Sequence, residues 1–182
     1  TWLLLKRGER TAFCGMICAL AAVLVGGAGL FPTMTYALPA IAGALLIAVV
    51  MEVGLKWGLA CYAVVGVLTL LIGTDKESAA LFCLLFGYYP VLKARLAPTR
   101  NRVVRWVFKL LLFNVVAVCL WLLALYVFHV PEETFRVAGV SLQWLLLPAA
   151  NAIFVLYDLA LGGLAAFYWQ RLHPVVERMF HR

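Results

Sequence analysis

The sequence predicts an all-α membrane protein: a single integral domain over residues 1–182, folded as a bundle of six transmembrane helices with both termini in the cytoplasm. Three observations predict it. The chain is 66% hydrophobic and only 13% charged, which leaves no stretch with the composition of a soluble domain. Long runs free of Lys, Arg and Glu recur along it. The basic residues fall almost wholly into alternate gaps between those runs.

The runs are Thr11–Leu30, Met34–Met51, Trp57–Gly73, Ser78–Leu92, Leu110–Val130 and Val137–Gln170, and their one acidic residue is Asp158. A helix needs about 20 mostly apolar residues to cross a hydrocarbon core about 30 Å thick, or about 17 at the short end. The predicted spans are therefore 11–30, 34–53, 56–74, 77–93, 104–130 and 140–170. The fourth reaches that length only with Glu77 and Lys93 as interfacial ends.

Orientation follows from the cations. Lys6, Arg7 and Arg10 precede span one, and Lys56 lies between spans two and three. Lys93, Arg95, Arg100, Arg102, Arg105 and Lys109 separate spans four and five, and Arg171, Arg178 and Arg182 follow span six. The other side holds only Lys76 and Arg136, together with the acidic Asp75, Glu77, Glu132 and Glu133. The positive-inside rule then places both termini in the cytoplasm. The net charge of +7 reads as anchoring to an anionic cytoplasmic leaflet, because cations dispersed among loops do not make a nucleic-acid surface.

Within the spans, few residues carry chemistry. The five cysteines, Cys14, Cys18, Cys61, Cys83 and Cys119, all fall in apolar runs and read as small packing residues; Cys14-x-x-x-Cys18 lacks the further ligands a metal site needs. No metal or cofactor is expected. Span one follows a basic stretch as a leader peptide would, but its twenty apolar residues exceed a leader's core, so it reads as a retained helix. Gly15, Ala19, Ala22 and Gly26 place small side chains along one stripe of it. Such stripes let helix backbones approach closely in lipid, either within the bundle or against another membrane subunit. Span two opens with Phe31-Pro32-Thr33-Met34-Thr35-Tyr36 and carries Pro39, so the 1–2 connection reads as a mobile outer lid or an ordinary turn. Glu52 and Lys56, at i and i+4, suggest an interfacial ion pair. Tyr88-Tyr89-Pro90 reads as the end of span four or a hinge.

Deeper in the bundle, Asn114 and Asp158 each lie about ten residues from the cytoplasmic boundary, about 15 Å at 1.5 Å per residue. This depth lets them meet, and Lys109 can reach up to Asp158. The three form an intramembrane polar cluster, read as a structural clasp of Asp158 with Asn114 or with Lys109, or as a functional site. Asn151 is one heptad before Asp158. With Trp144, Gln143, Trp121 and Tyr126 at similar depth it suggests an outer pocket of aromatic walls and a few polar groups, although aromatic residues also gather at membrane interfaces as a belt.

In its layout of six short spans, the basic lead into Thr11-Ala12-Phe13-Cys14-Gly15-Met16-Ile17-Cys18-Ala19-Leu20, the small-residue stripe, and Pro39-Ala40-Ile41-Ala42-Gly43 ahead of a glycine-rich turn, the chain resembles the substrate-binding (S) components of energy-coupling-factor vitamin transporters. The resemblance implies a subunit of a bacterial plasma membrane that captures a vitamin or other micronutrient on the outside. It implies docking through Gly15, Ala19 and Ala22 onto a coupling membrane subunit that bears cytoplasmic ATPase subunits. By position it places the small molecule near Thr33, Tyr36 and Asn151, the last of which shares the outer pocket read above with Trp144 and Trp121. No phosphate-binding loop of the G-x-x-x-x-G-K-[ST] kind occurs in the chain, so the energy would come from those partners. Two other classes stay open: a structural or assembly membrane protein without a transported substrate, and an ion-coupled carrier using Asp158. An enzyme is not expected, since neither H-E-x-x-H nor G-x-S-x-G occurs.

Overall fold

The computed structural model describes residues 7–126, 136–137, 140–141 and 143–175. Apart from one short strand pair, the regular structure among them is helical. They group into two compact units, one made of the residues up to Pro98 together with those from Leu161 onward, the other Thr99–Ala160.

The first unit is built on three mutually packed helices, α1 (Arg7–Gly26), α2 (Ala37–Glu52) and α3 (Leu55–Ile72). On α1 the buried residues are Phe13, Cys14, Ile17, Ala21 and Val25, spaced three or four apart as one helical face requires. Helix α2 is the most enclosed, with Ala42, Leu46 and Val49 fully buried. Apolar on every side, it suits a central position. On α3 the buried face is Gly58, Cys61, Val65, Gly66 and Thr69, while Leu59, Val67, Leu68 and Leu71 point outward.

Five helices are long and apolar enough to cross a membrane, and α2 is the shorter apolar sixth. This differs from the expected span over 34–53. Residues 32–34 form a 3₁₀ turn instead, which leaves α2 16 residues, or about 24 Å at 1.5 Å per residue. A helix of that length is shorter than a full hydrocarbon core and spans it by local thinning of the bilayer or by snorkelling of flanking residues.

Helix α4 (Lys76–Leu96) begins at Asp75, whose Oδ1 accepts the Glu77 N–H at 3.0 Å. Of the two readings of Tyr88-Tyr89-Pro90, an end or a hinge, the end does not hold. The helix widens into a π turn over Phe82–Phe86 and then continues through Pro90 to Leu96. Proline cannot donate to the carbonyl four residues back, here that of Phe86. Gly43 of α2 packs on that same carbonyl, so closely that a Cβ there would lie 2.5 Å from its oxygen. The π turn is further held by Tyr62, whose hydroxyl donates to the Cys83 carbonyl at 2.7 Å.

The second unit contains α5 (Arg102–Tyr126), a two-residue antiparallel pairing of β1 (Arg136–Val137) with β2 (Val140–Ser141), and the first part of α6 (Gln143–Phe167). The expected start of span six at residue 140 is therefore corrected, since residues 140–141 pair as a strand and the helix begins at Gln143. Beyond Phe167, α6 runs through a second π turn, Tyr168–Leu172. The last residues of the expected span five, 127–130, lie outside the described residues, as do Glu132, Glu133, Arg178 and Arg182. Along α5, Val104, Phe108, Leu111, Val115, Val118 and Leu122 form an exposed apolar stripe. An uninterrupted patch of that kind on a long helix suits contact with lipid.

Candidate functional site

The polar groups of the second unit occupy the facing sides of α5 and α6. Lys109 Nζ lies 2.8 Å from Asp158 Oδ1 and 3.0 Å from Oδ2, and both side chains are about 5% exposed. The ammonium also sits 5.2 Å from the centroid of the Trp106 ring, within cation–π range. Phe113 and Phe154 stack with centroids 4.3 Å apart. Further along, Asn114 and Asn151 exchange amide hydrogen bonds of 3.0 and 3.1 Å.

Each asparagine also donates to its own helix, Asn114 to the Leu110 carbonyl at 2.8 Å and Asn151 to the Leu147 carbonyl at 2.9 Å. An amide nitrogen has two protons, so both donors of both side chains are engaged. Of the two expected clasps, Lys109–Asp158 forms. The expected meeting of Asn114 with Asp158 does not, because Asn114 is taken up by Asn151. The amide of Asn151, expected in the wall of an outer pocket, faces α5. Trp121 is more than a third exposed on α5, and Trp144 is placed by its backbone in the first turn of α6.

In the first unit, Thr33 is exposed and the Tyr36 ring largely so, and their connection, expected as a mobile lid or an ordinary turn, is tethered by side-chain hydrogen bonds. The Thr74 hydroxyl donates to the Gly26 carbonyl at 2.8 Å, the Ser78 hydroxyl lies 2.9 Å from the Thr35 carbonyl, and the Tyr36 hydroxyl donates to Glu77 Oε1 at 3.0 Å. Both ends of the 1–2 connection are thus fixed to the 3–4 connection. Gly29 makes the approach possible, because a Cβ there would lie 2.5 Å from Thr74 Oγ1. Partial burial, and then the neighbouring Glu77 and Asp75, push the Tyr36 phenol above its ordinary pKa, since each disfavours a phenolate.

Of the expected docking stripe, Gly15 and Ala19 are exposed on α1 with open space beside Gly15, whereas Ala22 is half-buried against the core. Cys14 and Cys61 are buried as packing residues, while Cys119 faces outward.

One constellation was not anticipated. Glu52 Oε1 accepts the Tyr168 hydroxyl at 2.9 Å and lies 2.8 Å from His173 Nδ1, and the His173 ring stacks on Trp169 at 4.4 Å. The expected Glu52–Lys56 pair requires one continuous helix, and the chain breaks between them at Gly54, whose φ of 114° only glycine adopts readily. The sequence signal for the alternative is weak, because Tyr168 and His173 are five apart and share no face of an α-helix.

Among the described residues, no group of three or more His, Cys, Asp or Glu side chains is arranged to hold a metal ion, and no fully buried side-chain nitrogen or oxygen lacks a hydrogen-bond partner. No protein-family model, no curated protein and no solved structure matches the chain.

Proposed function

We propose that this protein is the membrane-embedded substrate-binding subunit of an uptake system for a small molecule, a vitamin or other micronutrient, energised by ATPase subunits that it engages through a coupling membrane subunit. The observation that carries the reading is the two-sided character of α1. One face, Phe13, Cys14, Ile17, Ala21 and Val25, is packed into the bundle. The other presents Gly15 and Ala19 outward, a surface on which a second membrane helix packs closely. In this reading the chain crosses the plasma membrane six times with both termini inside, and α2 does so as a short helix. The candidates for substrate contact are Thr33, Tyr36, Trp121, Trp144 and Asn151.

Native mass spectrometry of the purified protein tests the reading by looking for a retained metabolite and for copurifying ATPase subunits. Gly15→Leu with Ala19→Leu should abolish copurification and leave the metabolite bound. Absence of both metabolite and partner in the unmodified protein refutes the proposal. Labels at Arg100 and Arg182 that react from opposite sides of the membrane refute the topology.

A second reading, a structural or assembly membrane protein, is favoured by the pairing of Lys109 with Asp158 and of Asn114 with Asn151, which commits these groups to holding helices. An ion-coupled carrier using Asp158 would show pH-dependent flux in liposomes without partner subunits.

A further inference from the structure

We infer that Glu52 is the latch of a register switch in α6, a device independent of the function proposed above. The observation is a costly piece of backbone at which two side chains, Tyr168 and His173, meet one carboxylate. Over Tyr168–Leu172 the helix widens so that the His173 N–H bonds the Tyr168 carbonyl five residues back. Such π turns are rare and tend to mark functional positions. Locally unfavourable backbone persists where the surroundings over-determine it.

Here the surroundings are identifiable. In an α-helix of 3.6 residues per turn, side chains five apart point about 140° from one another, so Tyr168 and His173 could not both reach a single acceptor. The i→i+5 turn takes up about one residue of phase and brings them to within about 40° of one another. Both then converge on Glu52 Oε1, at 2.9 and 2.8 Å. Glu52 is the last residue of α2 and its side chain is 8% exposed, so it offers a fixed, largely desolvated acceptor. Two hydrogen bonds meeting at one buried acceptor oxygen hold the wide turn from outside the helix. The Trp169 ring stacked on His173 fixes the imidazole from the other side.

The latch and the turn are therefore one two-state element. While Glu52 holds both side chains, the turn stays wide. Once the carboxylate is lost, the turn tightens to α and drops one residue of phase. His173 and everything after it then rotate about 100° relative to the helix before Tyr168. On a helix about 10–12 Å across its side chains, that rotation moves a downstream side chain by several ångström.

The test measures this rotation. Spin labels at Lys56 on α3 and Val175 beyond the turn, both exposed, are introduced with the five native cysteines replaced by alanine. Their separation is read by double electron–electron resonance. Glu52→Ala should displace the mean distance by several ångström while leaving a single narrow population. If Glu52→Ala does not fold, Tyr168→Phe combined with His173→Ala removes the same two bonds from the other side and should give the same displacement. A mean distance unchanged from the parent, or one merely broadened about it, overturns the inference, because loss of a purely structural contact loosens the helix end without rotating it.

Discussion

Lys109 and Asp158 form a closed ion pair, 2.8 and 3.0 Å between the ammonium and the two carboxylate oxygens, and they set the register of two antiparallel helices. Four residues up α5 and four residues back along α6, Phe113 meets Phe154. One residue further on α5 and three further back on α6, Asn114 meets Asn151. The rungs are ionic, aromatic and amide, so a slip by one helical turn would set a charge against a ring. Polar side chains that specify register at some cost in stability are well attested in helical assemblies.

The ion pair should therefore be far more sensitive to losing one partner than to losing both. Asp158→Ala leaves the Lys109 ammonium buried without its carboxylate, and breaking a buried pair in this way costs about 3–5 kcal/mol. Lys109→Met combined with Asp158→Leu removes both charges and should recover most of that loss. Equilibrium unfolding of the reconstituted protein in SDS measures both, and equal losses would refute the pairing.

The asparagine rung should be weaker. Interhelical hydrogen bonds in membranes contribute about 0.6 kcal/mol on average, up to about 1.7, and each asparagine keeps a bond to its own helix when its partner is gone. A double-mutant cycle of Asn114→Ala and Asn151→Ala should give a coupling of about 1 kcal/mol. If Asn151 instead contacts a small molecule, as the proposed function holds, its substitution lowers ligand affinity in a way that Asn114→Ala does not reproduce.

Glycine 43 should tolerate no side chain. A Cβ there meets the Phe86 carbonyl oxygen at 2.5 Å and its carbon at 2.9 Å, atoms fixed by the π turn and by Pro90. Gly43→Ala should destabilise the protein by about 1–3 kcal/mol, the usual cost of overpacking. Gly15→Ala, with open space beside it, is the control and should be near neutral. The same SDS titration compares them.

The Tyr36 phenol should ionise above the ordinary tyrosine range of about pH 10. A raised folded-state pKa means that the stability from this group is fully present below pH 10 and is lost as pH rises through the folded value. The tyrosinate absorbance difference between parent and Tyr36→Phe should stay flat from pH 7 to 10 and rise only beyond. A rise centred below pH 10 would show that the Glu77 contact does not form.

The sequence by itself determined the class of the protein and most of its elements. Uninterrupted apolar runs of this length suit helices in lipid, because a helix satisfies every backbone polar group within its own segment. It also exposed Lys109, Asn114, Asn151 and Asp158, because polar side chains stand out against an apolar background. Only the tertiary structure decided which of them pair, since residues equally deep on two helices differ in azimuth, and azimuth depends on packing. The same holds for Glu52. Its i+4 neighbour is severed from it by a glycine turn, and its actual partners lie 116 and 121 residues away, on a helix whose periodicity changes where they meet it. Hydrophobic periodicity specifies a helix and its buried face, whereas a local change of helical pitch is stabilised by side chains from elsewhere and leaves no pattern of its own.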